Sequence, residues 1–179
     1  MTSQHISGVH PHHQRADLVR LAIHTMLERG LQAEFPADVE RQLTAITGPG
    51  HEAGADIQDL TGLLWCSIDN DDSRDLDQLT VCEVLPQGAV KIFVAIADVD
   101  ALVKKGTTID DHARANTTSV YTSACIFPML PERLSTDLTS LNEGQNRLAM
   151  VTEMVFNADG SLAGSTVYRA LVRNQAKWL

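Results

Sequence analysis

Residues 69–77 read DNDDSRDLD, five aspartates and one arginine set between two apolar runs, LTGLLWCSI at 60–68 and LTVCEVL at 79–85. This run constrains the chain more than any other feature. Carboxylates so closely spaced repel one another, and the repulsion costs stability unless cations intervene. The flanking runs read as strands, so the acidic run is expected to be the loop between them. Asp75 and Asp77 are two residues apart, and in extended backbone such side chains point to the same side. Asp69 joins them only if the intervening loop folds back.

The rest of the chain supplies the frame for that loop. Leu18, Ala22, Ile23, Met26 and Leu27 recur at helical spacing over 17–29, and Gly30 stands where a C-terminal cap belongs. A second helix is predicted from Pro36 or Ala37, with Val39, Leu43 and Ile46 on one face. GPGHEAGA at 48–55 breaks the pattern and reads as a linker. Two short helices make a poor core alone, so they are expected to pack on the later part of the chain. AVKIFVAIA (89–97) pairs with 79–85 through Pro86-Gln87-Gly88. Residues 108–116 read as a helix with Asp110 and Asp111 near its start, and 119–127 as extended chain stopped by PMLP (128–131). LAMVTEMVF (148–156) and SLAGSTVYRALV (161–172) flank a second hairpin turn at 157–160. The predicted class is α+β: a mainly antiparallel sheet with helices, preceded by a helical N-terminal segment. The segment and its linker take 1–58, and the sheet-bearing part takes 59–179.

Composition narrows the function classes. Apolar residues make up 44% of the 179, enough for a core, and no run of 18 apolar residues suggests a membrane span. The His-rich start, MTSQHISGVHPHH, lacks the basic-then-apolar order of a secretory signal and reads as a frayed tail. Cys66, Cys82 and Cys125 are widely spaced with no C-x-x-C pair, which points away from zinc or disulfides and toward a reducing cytoplasm. A net charge of −9 is unusual for a nucleic-acid binder, but much of the acidity after Trp65 sits in the one loop. Beyond Asp159 only Arg169, Arg173 and Lys177 carry charge.

Two readings of the acidic loop stand side by side. One is a solvated acidic turn. The other is a site for a hard divalent cation that accepts a few carboxylates and keeps positions for water and phosphate. A calcium loop of the EF-hand type fits poorly. Arg74 stands where the turn needs Gly, and Thr80 where a bidentate Glu is needed.

Five segments in order carry a family resemblance: IDNDDSRDLD (68–77), VAIADV (94–99), KKGTTIDDHARANTTSVY (104–121), IFPMLPERLS (126–135) and SLNEGQNRLAM (140–150). Together they resemble the first part of the catalytic domain of the RNB family, the ribonuclease II and ribonuclease R type of exoribonuclease. The resemblance implies hydrolysis of single-stranded RNA from its 3′ end to nucleoside 5′-monophosphates by magnesium-activated water, with no specificity for DNA. It implies Asp69, Asp75 and Asp77 as catalytic metal-binding residues, and Tyr121 as an aromatic that stacks on a base near the 3′ end. Read without the resemblance, Tyr121 is a core or hairpin aromatic. Asp98 reads as structural, capping a turn after a buried strand, and Arg147 as a contact for either phosphate or an acid.

Two departures accompany the resemblance. The family's acidic cluster ends Asp-x-Asp-Asp, whereas here it ends Asp75-Leu76-Asp77-Gln78. Gln78 is expected to ligate the cation through a neutral amide oxygen. The resemblance also covers only about the first half of the family's domain, and the usual oligonucleotide-binding barrels are not evident. The chain therefore reads as truncated and inactive alone. The alternative is a catalytically silent, RNA-binding or interaction module on the same scaffold.

Overall fold

The two long apolar hairpins build the sheet. In the computed structural model, which describes residues 15–51 and 56–178, β3 (Gln78–Val84) pairs antiparallel with β4 (Val90–Ala97). The connecting turn is a short 3-10 segment in which Gln87 and Gly88 both take positive φ, the left-handed geometry a tight hairpin requires. The second hairpin joins β7 (Asn146–Phe156) to β8 (Leu162–Arg173), and β4 pairs with β7 between the hairpins. Short strands complete both sides: β1 (Gln58–Asp59) runs parallel to β8, and β9 (Ala176–Trp178) runs parallel to β2 (Cys66–Ile68). The strand order is β1-β8-β7-β4-β3-β2-β9. The sheet is mostly antiparallel and a few helices accompany it, so the class is the α+β arrangement expected.

The strand predicted over 60–68 is shorter in fact. Only Cys66–Ile68 pairs, because the chain turns after Leu60 to bring the Trp65 Nε1–H onto the Leu60 carbonyl at 2.9 Å. That bond satisfies the indole while its ring is fully buried. Trp65 meets Phe93 edge-on in a core that also holds Leu76, Leu79, Ala95, Leu141, Ala149, Val151, Ala170 and Val172. The opposite face of the sheet leaves Ile68, Ile96, Val167 and Trp178 exposed.

A second core forms from the helices. Helix α2 (Ala37–Ala45) and helix α3 (Thr108–Asn116) pack with a π-helical turn at Arg133–Leu138, which the sequence did not signal. Val39, Val103, Ile109, Leu130, Leu134 and Leu138 are its buried residues, with Phe35, Leu43 and Ile46 against them. Full burial of a side chain such as Val39 contributes about 1.5–3 kcal/mol, so α2 is held by packing and not by its own propensity. The expectation that the early helices pack on the later part of the chain is met by α2. Helix α1 (Arg15–Glu28) buries Met26 and half-buries Ala22 and Ile23, while Leu18 and Leu27 at the edges of the apolar stripe read from 17–29 are exposed. Part of the predicted linker is packed: Gly50 lies so close to Ala101 that a Cβ there would stand 2.8 Å from the Ala101 Cβ. Residues 52–55 and the His-rich start fall outside the described residues. The extended run 119–127 is a small hairpin, β5 (Val120–Tyr121) with β6 (Ile126–Phe127).

Candidate active site

The acidic run leaves β2 at Ile68 and enters β3 at Gln78. One residue within it anchors it: Leu76 is buried in the sheet core between two exposed aspartates, Asp75 and Asp77. Its N–H donates to the Ser140 Oγ at 3.0 Å, and its carbonyl accepts from the Leu141 N–H at 2.7 Å. The Ser140 hydroxyl also donates to the Arg74 carbonyl at 3.2 Å, and the Ala97 N–H donates to the Asp77 carbonyl at 2.9 Å. The Lys177 ammonium donates to the carbonyls of Asp71 and Ser73 at 3.1 and 3.0 Å. The loop is therefore fastened through its backbone, and its carboxylates remain available.

The carboxylates face two hollows. Asp75 and Asp77 line a cleft of about 370 Å³ where the two cores meet, opposite Thr117, Ser119, Tyr121 and Ser135. This is the same-side geometry that their spacing implied. Asp69, Asp77 and Gln78 line a smaller hollow of about 180 Å³ on the other side of the loop, with Cys66 and Thr80. Asp69 and Asp75 do not share a hollow, so the gathering of Asp69 with Asp75 and Asp77 is not found. Among the described residues no group of three or more His, Cys, Asp or Glu side chains is placed to hold a metal ion. The two ends of the loop, Asp69 and Asp77, do meet in the smaller hollow, while Asp75 lines the cleft and an outer groove instead. Asp77 alone of the three candidate aspartates lines both hollows.

The donor set around Asp77 still fits a hard divalent cation. Asp69 Oδ2 is buried without a hydrogen-bond partner, which is costly for a carboxylate oxygen unless a cation meets it. Two carboxylates and an amide oxygen suit an ion that completes its shell with water and phosphate.

Tyr121 is 65% exposed on the β5–β6 hairpin, so the core reading of this aromatic does not apply. Its hydroxyl donates to Asp75 Oδ2 at 3.4 Å. The Asp75 charge, followed by burial, pushes the phenol above its ordinary range, so it stays a neutral donor. Beyond this contact a second open groove of about 520 Å³ is lined by Asn70, Arg74, Asp75, Tyr121, Glu132 and Thr136.

The other two residues singled out are structural. Asp98 makes no capping bond; it is buried and forms an ion pair with Arg169, whose Nε lies 2.9 Å away. Arg147 is buried, donates to the carbonyls of Asn146 and Asp137 at 3.0 Å each and to the Gln145 Oε1, and lies 3.9 Å from the Asp137 carboxylate. Burial lowers its pKa, and its pairing with an acid is loose. Ser140, which holds the loop, was not identified from sequence. Its only signal was its place at the start of the SLNEGQNRLAM segment.

The same segments match known proteins. The RNB domain profile matches residues 57–178. Ribonuclease R of Vibrio cholerae is 39% identical over 145 residues, which are 80% of this chain and 18% of the relative. The chain thus spans less than a fifth of that relative's length. Among solved structures, Mycoplasma genitalium RNase R in complex with ribose-methylated single-stranded RNA superposes with a TM-score of 0.80 at 30% identity, over 92% of this chain and 25% of that one. Yeast Ssd1, a pseudonuclease, shares the fold alone, with a TM-score of 0.62 at 13% identity over 73% of this chain and 17% of that one. A profile match over more than half the chain, on the segments that build the loop, the cleft and its far wall, makes this chain a member of the RNB family.

Proposed function

We propose that this chain forms part of a cytoplasmic exoribonuclease that hydrolyses single-stranded RNA from its 3′ end and releases nucleoside 5′-monophosphates. One observation carries the reading: Asp75 and Asp77 are held on either side of a doubly hydrogen-bonded, buried Leu76, and both face a cleft with Tyr121 on its rim. The phenol ring offers a face to any base without reading its identity, which suits an enzyme that must accept every nucleotide. Asp69, Asp77 and the Gln78 amide would hold Mg²⁺, with Asp75 facing the substrate side. Bound there, magnesium would offset phosphate charge and supply an acidified water as nucleophile. Asp77 lines both hollows, so its carboxylate is the one able to touch ion and scissile phosphate together. The chain's own share of the work is to fix these carboxylates and to seat the terminal base. RNA is preferred over DNA in this reading, through 2′-hydroxyl contacts.

A second reading is favoured by Gln78 and by the separation of Asp69 from Asp75: a catalytically silent module that binds RNA. The discriminating experiment is a Mg²⁺ titration of the chain by calorimetry, with and without a short single-stranded RNA, in wild type and Asp77→Asn. The nuclease reading expects RNA to tighten Mg²⁺ binding and the substitution to abolish that coupling. RNA binding that ignores Mg²⁺ and Asp77 alike would instead establish the silent module.

A further inference from the structure

None of the residues lining the cleft or the outer groove belongs to 15–51, yet that segment grips the elements of the cleft's far wall at four places. The first is the Arg15 guanidinium, which donates to the Ala124 carbonyl on the Tyr121 hairpin at 3.2 and 3.3 Å. At the start of α3, the Gln42 Oε1 accepts from the Thr108 hydroxyl at 2.8 Å and from the Ile109 N–H at 3.0 Å. At the end of α3, Asn116 is clamped edge-on to the backbone of Gln32: its Oδ1 accepts from the Gln32 N–H at 2.8 Å, and its Nδ2 donates to the Gln32 carbonyl at 2.9 Å. The Gln32 side chain also meets the His112 Nδ1 at 2.7 Å, and the His112 Nε2 lies 3.3 Å from the Asn116 Nδ2. On the π-helical turn, Arg133 donates to the carbonyls of Leu43 and Ile46 at 3.1 and 2.8 Å.

Packing in the second core holds α2 in place. Polar clamps at both ends of α3 fix its axial position. The second clamp sits at a telling point. Asn116 is the last helical residue, and Thr117 after it takes φ +60°, a left-handed conformation that a β-branched residue holds only when its surroundings impose it. Thr117, Thr118, Ser119 and Tyr121, next in the chain, line the cleft. Asn116 and His112 are 1% and 3% exposed, so on their side of the network little solvent can substitute for a lost partner, while Gln32 itself stands at the surface.

We propose that residues 15–51 act as a brace for the substrate wall, in which Gln32, through Asn116 and His112, is a positioning residue that holds the Thr117–Tyr121 segment opposite Asp75 and Asp77. The brace rests on the RNA-binding reading only for its purpose, since the geometry it maintains exists without RNA.

The test uses the full chain with Asn116→Ala and the milder Gln32→Leu, each alone and combined with Tyr121→Ala. Hydrogen exchange is read first, without RNA. The expectation is exchange on the order of tenfold faster at 117–122, with the amides of β7 and β8 unchanged, as local opening predicts. Unchanged exchange at 117–122 in both variants, or equal acceleration across the sheet, overturns the brace. Fluorescence anisotropy with a labelled single-stranded oligoribonucleotide and Mg²⁺ is read second. Asn116→Ala should weaken binding about fivefold, the lower end of what stacking one base contributes. Gln32→Leu, which keeps the backbone bonds to Asn116, should weaken it less, and neither should add to Tyr121→Ala. Additive losses overturn the route through Tyr121. If the wild-type chain binds no RNA, the RNA-binding reading fails, and the exchange result still decides the brace.

Discussion

Ser140→Ala probes the fastening of the acidic loop without touching a carboxylate. The hydroxyl is 2% exposed and serves two backbone groups, as acceptor for the Leu76 N–H and donor to the Arg74 carbonyl. Removing it leaves the N–H of a buried residue with no partner, which costs about 1–3 kcal/mol. The Arg74 carbonyl adds less, because an exposed residue can turn its carbonyl to water. The Leu141-to-Leu76 bond at 2.7 Å remains, so the loop should loosen and not detach. For a chain of this size each kcal/mol moves the melting temperature by about 2–4 °C, so the variant should melt roughly 2–12 °C lower in a thermal scan. Asp75 and Asp77 flank the loosened residue, so Mg²⁺-dependent RNA binding should weaken in the same protein at a temperature where it is fully folded. Ser135→Ala, at a half-buried hydroxyl on the other side of the cleft, is the control for stability. A Ser140→Ala protein that melts with wild type would refute the reasoning, because it would mean that water replaces the hydroxyl at a position closed to solvent.

Further outcomes are expected. Gln78→Asp puts a third carboxylate beside Asp69 and Asp77; without metal it should lower the melting temperature through repulsion, and with Mg²⁺ it should bind the ion more tightly than wild type in calorimetry. His112 titrates below its ordinary range because burial disfavours its charge, and its ring partners, Gln32 and Asn116, are neutral. Its unfolded form therefore takes up the proton first: this contribution to stability is complete above about pH 6.5 and is lost as the pH falls from there toward the lower folded pKa. Denaturant melts across that range should show the loss in wild type and not in His112→Asn. Lys177→Ala removes the donor to the Asp71 and Ser73 carbonyls and should cost about 0.5–1.5 kcal/mol by the same melts, with RNA binding reduced more at low salt than at high. The 179-residue chain alone, purified and loaded with Mg²⁺, is expected to release no mononucleotides from single-stranded RNA over a time course resolved by chromatography.

The long strands were legible because apolar runs flank turn signals at 86–88 and 157–160. The Ala149/Val151 alternation and its partner Ala170/Val172 both end in the sheet core. Strands β1 and β9 were not legible. Each has two or three residues, and each pairs in parallel with a strand more than 100 residues away, information that no local pattern carries. Spacing likewise gave the shared direction of Asp75 and Asp77 but not the partners of the loop, because Ser140 is joined to Leu76 only by the fold. The reach of Asp69 was the least legible feature. Five carboxylates in nine residues need either cations or separation, and sequence alone cannot choose between them. The fold supplies a partial separation by spreading the acids over different hollows and solvent. Asp71 and Asp72 face solvent, Asp75 turns toward Tyr121, and Asp69 turns to the opposite hollow. A count of acids therefore overstates the ligands available to one ion. What the loop retains is Asp77, which lines both hollows, and it is the carboxylate on which the proposed cation and substrate sites converge.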